Sequence, residues 1–112
     1  MDISVRQQGE CQVVKLRGNL RLGEAVDALK NVFEDFTANE NNNIVLNLEE
    51  VPSMDSSGIG FVVRALTGAK SRGGAVKLVK PSKMVAQTLK MVAVLNLFEV
   101  FENEEDAVKS FS

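Results

Sequence analysis

Two hydrophobic periods alternate along the chain, and the switches between them predict its elements. Near the start Ile3, Val5 and Gln7 fall two apart, Gln8-Gly9-Glu10 interrupts, and CQVVKLRG resumes the spacing. Val14 and Leu16 share one face there, with Val13 on the other. A period of two on both sides of a short glycine turn predicts a β-hairpin, ending at Gly18. From Glu24 to Phe36 the period lengthens to three and four. Ala25, Val26, Leu29, Val32, Phe33 and Phe36 then form one stripe of an amphipathic helix. The asparagine-rich tract from Asn39 to Asn43 stops it as a loop.

IVLNL, residues 44–48, is short, β-branched and almost wholly apolar, the pattern of a strand buried on both faces. A helix from about Ser57 to Ser71 follows, with Ile59, Val62, Val63, Leu66 and Ala69 inward, and Gly73-Gly74 closes it. AVKLV, residues 75–79, is a second buried strand. Two such strands joined by a helix predict a parallel βαβ unit with a right-handed crossover. Pro81-Ser82 opens a third helix with Val85, Leu89 and Val92 inward and Met91 in the core. Met84 and Thr88 stand open between contact residues and gap-filling core. FEVF, residues 98–101, reads as a short edge strand, and Asn103-Glu-Glu-Asp106 as the capped start of a final helix ending near Phe111.

Composition narrows the function classes. The 112 residues suit one compact domain, residues 1–112. Acids exceed bases by 15 to 13, so no strong field favours nucleic acid or a membrane surface. No basic-then-apolar leader and no bilayer-length apolar run occur, which predicts a cytoplasmic protein. A monomer is the default expectation. Cys11 stands alone and allows no internal disulfide; it reads as a small core residue. Histidine is absent, which removes Ser-His-Asp catalysis and the commonest transition-metal ligand. No metal or other cofactor is expected. Absence of Trp and Tyr weakens any case for base stacking.

The chemistry concentrates in VPSMDSSGIG, residues 51–60. The layout places it past the carboxyl end of a central strand and at the start of a helix, where sites gather in open α/β sheets. Asp55, Ser56 and Ser57 are natural helix caps, so a purely structural reading stands. A phosphate on Ser57 is the second reading, since unpaired N–H groups and the helix dipole stabilise an anion there. Gly58 would let a partner approach closely, and Gly60 would relieve helix–strand packing. A serine nucleophile is the third reading. It lacks a G-x-S-x-G turn and a histidine base, and no P-loop is present.

MDSSGIG with its flanks resembles the STAS domains, in their anti-sigma-factor antagonist branch. The likeness runs through LRGNL, IVLNL, VPSMDSSGIGFVV, GGAVKLV, Pro81-Ser82, LNLFEVF and EEDAV. It implies an α/β fold, with a mixed four- to five-stranded sheet and about four helices packed against it. It also implies a binding module and not an enzyme. By the same likeness Ser57 is the phosphoacceptor, supported by Asp55, Ser56 and Gly58. The partners would be an anti-sigma factor that is also a serine kinase, and a serine phosphatase that reverses the mark. The unphosphorylated form would bind the anti-sigma factor and free a sigma factor.

The expected contact surface is Met54, Asp55, Ser56, Ser57 and Gly58, with Phe61 on a second apolar helix face beside Ala65 and Gly68. That second face stands equally as one covered by a neighbouring helix. Gly18-Asn19-Leu20-Arg21 departs from relatives, which often carry an acid or Thr where Arg21 stands; Arg21 would either pair with a phosphate or face solvent. Two alternatives keep their place: a non-switched STAS scaffold within a larger sensory or transport assembly, and a small enzyme using Ser56 or Ser57.

Overall fold

The computed structural model describes residues 1–112. Strands β1 (Asp2–Gln8) and β2 (Cys11–Arg17) form the expected hairpin, joined through Gly9 and Glu10 with Gln8 paired to Cys11. Helix α1 (Glu24–Ala38), strand β3 (Asn43–Glu50), helix α2 (Ser56–Ser71) and strand β4 (Ala75–Val79) follow. Helix α3 (Lys83–Met91), a single 3-10 turn at Leu95–Leu97, strand β5 (Val100–Phe101) and helix α4 (Glu104–Lys109) complete the chain. The five strands lie in the order β1-β2-β3-β4-β5. Only β1 and β2 pair antiparallel; the other pairs are parallel, so the sheet is mixed.

Strand alternation divides the core between two faces. Val14, Leu16, Ile44, Leu46, Leu48, Val76 and Leu78 join Leu29, Val62, Leu66, Val85 and Leu89 from α1, α2 and α3 in the larger cluster. Burying each of these side chains contributes about 1.5–3 kcal/mol. Cys11, Val13, Val45 and Val79 point the other way and meet Ala107 of α4. Cys11 is thus a core residue, at the start of β2, and burial pushes its thiol pKa up. With six residues, α4 is too short to hold itself in water. Polar contacts anchor it: Asn47 donates to Glu104 at 2.7 Å, Arg6 pairs with Glu104, and the Lys77 amine donates to the Ser110 hydroxyl at 2.8 Å.

The helix ends follow local chemistry. At the end of α2, Gly73 has φ 84°, and the N–H groups of Gly74 and Gly73 donate to Ala69 and Lys70, a Schellman closure. Helix α3 closes the same way on Ala93, at φ 60°, with Val94 donating to Leu89. Two expectations are corrected here. Val92 is 51% exposed because the helix closes before it, and Met91, the last residue of α3, is 86% exposed because it falls on the outward stripe with Met84. Val94 and Leu95 pack on the core in their place. The final helix also stops short of Phe111, at Lys109.

Candidate functional site

Strands β2, β3 and β4 run parallel, so their carboxyl ends open onto one rim. Three loops meet there. The β2–α1 loop lies along the β3–α2 loop through a Leu20–Met54 bridge. Leu20 N–H donates to the Ser53 carbonyl at 3.0 Å, and Asp55 N–H donates to the Leu20 carbonyl at 3.2 Å. From the β4–α3 loop, the Ser82 hydroxyl caps Val85 at 3.3 Å and donates to the Val51 carbonyl at 2.8 Å. Lys80 pairs with Glu49 at 3.3 Å across the same rim.

Asp55 organises the serine loop. It is the N-cap of α2, and its carboxylate accepts from Gly58 N–H at one oxygen and Leu22 N–H at the other, both at 2.9 Å. The Leu22 and Gly58 N–H groups hold the Asp55 carboxyl below the usual aspartate range, helped by Ser57 N–H and Arg21. Asp55 therefore does the capping that the sequence left open among three residues. Ser56 and Ser57 are the first two residues of the helix, with Ser56 exposed and Ser57 half-buried. Their hydroxyls are spared the capping task.

Gly58 is fixed from within. A Cβ there would stand 2.4 Å from the Leu20 carbonyl oxygen, so the close approach is to the chain's own backbone. Gly60 needs no such relief, because a Cβ there would meet only the Arg64 guanidinium, at 3.2 Å. Arg21 is exposed, and its Nη2 donates to the Ser53 hydroxyl at 3.3 Å. That hydroxyl in turn donates to the Asn19 side chain at 2.9 Å.

Two expected contact residues lie inside. Met54 is 7% exposed beneath the loop. Phe61 is 8% exposed and meets Phe33 of α1 edge-to-face, with centroids 5.4 Å apart. Neither stands on the surface; each supports the loop or the helix from below. Phe61, Ala65 and Gly68 do share a face, as the spacing indicated, and it lines a groove of about 500 Å³ against Val26, Lys30 and Phe33 of α1. The sequence reading missed the roles of Leu20 and Leu22, and it saw Ser82 as the opening of α3 but not its bond to Val51. Their roles arise from contacts across loops distant in the chain, and no local motif marks them. No helix of the chain is long and apolar enough to cross a membrane.

Comparison with known proteins agrees with this architecture. The STAS domain family matches residues 2–107. A Thermotoga maritima protein named "Putative anti-sigma factor antagonist" is 30% identical over 78 residues, 70% of this chain and 69% of its own. A crystal structure from Thermotoga maritima, carrying the same description, superposes with a TM-score of 0.89 at 24% identity, covering 96% of this chain and 92% of the other. The Bacillus cell fate determinant SpoIIAA in its phosphorylated form gives 0.79 at 21% identity, covering 99% and 100%. The chain belongs to the STAS domain family, among the anti-sigma factor antagonists.

Proposed function

We propose that this protein is a phospho-switched anti-sigma factor antagonist of the cytoplasm, with Ser57 as the phosphoacceptor. Unphosphorylated, it binds an anti-sigma factor that is also a serine kinase, and a sigma factor is released. Phosphorylation of Ser57 breaks the complex, and a serine phosphatase restores it. The chain acts by binding, as a monomer, and carries out no catalysis itself. The observation that carries this reading is the division of labour at the start of α2: Asp55 caps the helix, leaving the half-buried Ser57 hydroxyl with no capping role. Asp55, Ser56 and Ser57, at the start of α2, form the contact surface, with Met54, Gly58 and Phe61 holding its shape.

A phosphoserine adds about −1.5 to −2 charges at neutral pH. In the free protein water reaches the half-buried Ser57 and solvates that charge. In a closed interface it is desolvated and lies near Asp55. A loss of about 3 kcal/mol weakens an interface more than a hundredfold. The mark thus breaks a complex without unfolding the domain. Intact-mass and phosphopeptide measurement of the protein from its own cells should find one phosphate, on Ser57, and none in a Ser57→Ala strain. Unphosphorylated protein should bind the anti-sigma factor at least a hundredfold more tightly than the phosphorylated form. Equal binding, or no modification under any growth condition, would overturn the switch.

A further inference from the structure

We infer that Arg21 is the internal receiver of a phosphate on Ser57; the inference rests on the switch reading for the identity of the modified residue. The β2–α1 loop that carries Arg21 and the first turn of α2 that carries Ser57 are joined through one carboxylate. Asp55 Oδ2 accepts from Leu22, the residue after Arg21, and Asp55 Oδ1 accepts from Gly58, the residue after Ser57. Arg21 and Ser57 therefore each stand one residue from an anchor on the same side chain. The Leu20–Met54 bridge and the Leu20 hydrogen bonds to Ser53 and Asp55 keep the loops in register.

Arg21 is also the one cation on these two segments, and it has no carboxylate partner; Lys83 has none either, but it opens α3 on the third loop. Lys15 and Arg17 face Glu50 at 2.9 and 3.2 Å, and Lys80 faces Glu49 at 3.3 Å. Arg21 instead holds only the neutral Ser53 hydroxyl, at 3.3 Å, near the far end of the hydrogen-bond range. A guanidinium prefers a phosphate to a hydroxyl, because its planar fork matches two phosphate oxygens and both partners are charged. The pair offsets the repulsion between the phosphate and Asp55. It draws the Arg21 head away from Ser53 and folds the mark back onto its own chain. Phosphorylation then changes the shape and charge of both loops.

The test places phosphoserine at position 57 of the full chain during synthesis, so no kinase is needed. Phosphorus NMR titration compares this protein with its Arg21→Gln form. Arg21 and Asp55 are the charged groups on these two segments, Glu24 opens α1, Lys83 opens α3 and the Lys80–Glu49 pair spans the rim; all but Arg21 are the same in both proteins. The second phosphate ionisation should fall lower with Arg21 present, by about half a pH unit or more, and added salt should shrink the difference. Arg21→Lys should fall between. Because Arg21 is exposed, circular dichroism should show the same fold in all three. Equal ionisation with and without Arg21 would overturn the inference. If the titrations differ but phosphorylated and unmodified proteins bind the anti-sigma factor alike, the switch falls and the Arg21 pair stands.

Discussion

Gly58 and Gly60 stand two residues apart in one helix, yet the fold requires only the first. At position 58 a methyl group would press on the Leu20 carbonyl oxygen at 2.4 Å and on its Cγ at 3.1 Å. Backbone cannot yield as a side chain does, so Gly58→Ala is expected to destabilise by about 1–3 kcal/mol. At position 60 the neighbour is the mobile end of Arg64. Gly60→Ala should therefore stabilise by about 0.5–1 kcal/mol through helix propensity. Chemical denaturation of the two variants should give opposite signs. The motif D-S-S-G is legible in sequence as a helix start. Which residue caps, and what Gly58 avoids, depends on Leu20 and Leu22, more than thirty positions away.

Helix ends show how element boundaries escape local reading. The close of α2 was visible because Gly73 is the residue that tolerates positive φ. The close of α3 was not, because Ala93 occupies the same geometry and carries no stop signal. An alanine in the left-handed region is strained by about 1–2 kcal/mol, part of which glycine would return as unfolded-state entropy. Ala93→Gly is therefore expected to raise stability by about 0.5–1 kcal/mol, read as a higher denaturation midpoint with unchanged slope. The stop also explains the exposed Val92: the apolar period continues past the point where the backbone abandons the helix, whereas Met91 stays in the helix on the outward face that carries Met84.

At the scale of the whole molecule the two faces of the sheet differ in kind. The helix-covered face is a dry apolar core, and the face under α4 includes Asn47 and Lys77. The Lys77 amine sits 4.2 Å above the Phe111 ring and 2.8 Å from Glu99. Replacing a buried ion by an apolar chain of similar shape removes its desolvation penalty as well as its partners. Lys77→Met is expected to leave the melting temperature unchanged or raise it. Lys77→Ala should lower stability by about 1–3 kcal/mol, because the aliphatic stem that packs under α4 is lost. Thermal unfolding of the pair separates packing from charge.

The sequence by itself determined the order and type of the strands and α-helices, the two buried strands, the hairpin and the start of every α-helix to within about two residues, but not the 3-10 turn at Leu95–Leu97. These follow from hydrophobic period and from cap and turn residues, which act over a few positions. It also singled out the serine loop as the candidate site. Only the tertiary structure decided what surrounds that loop: Asp55 tied to Leu22, Gly58 seated on Leu20, Arg21 on Ser53, Met54 and Phe61 turned inward. Those contacts join segments far apart in the chain. They exist because parallel strands bring their carboxyl ends, and the loops that follow them, to one edge of the sheet.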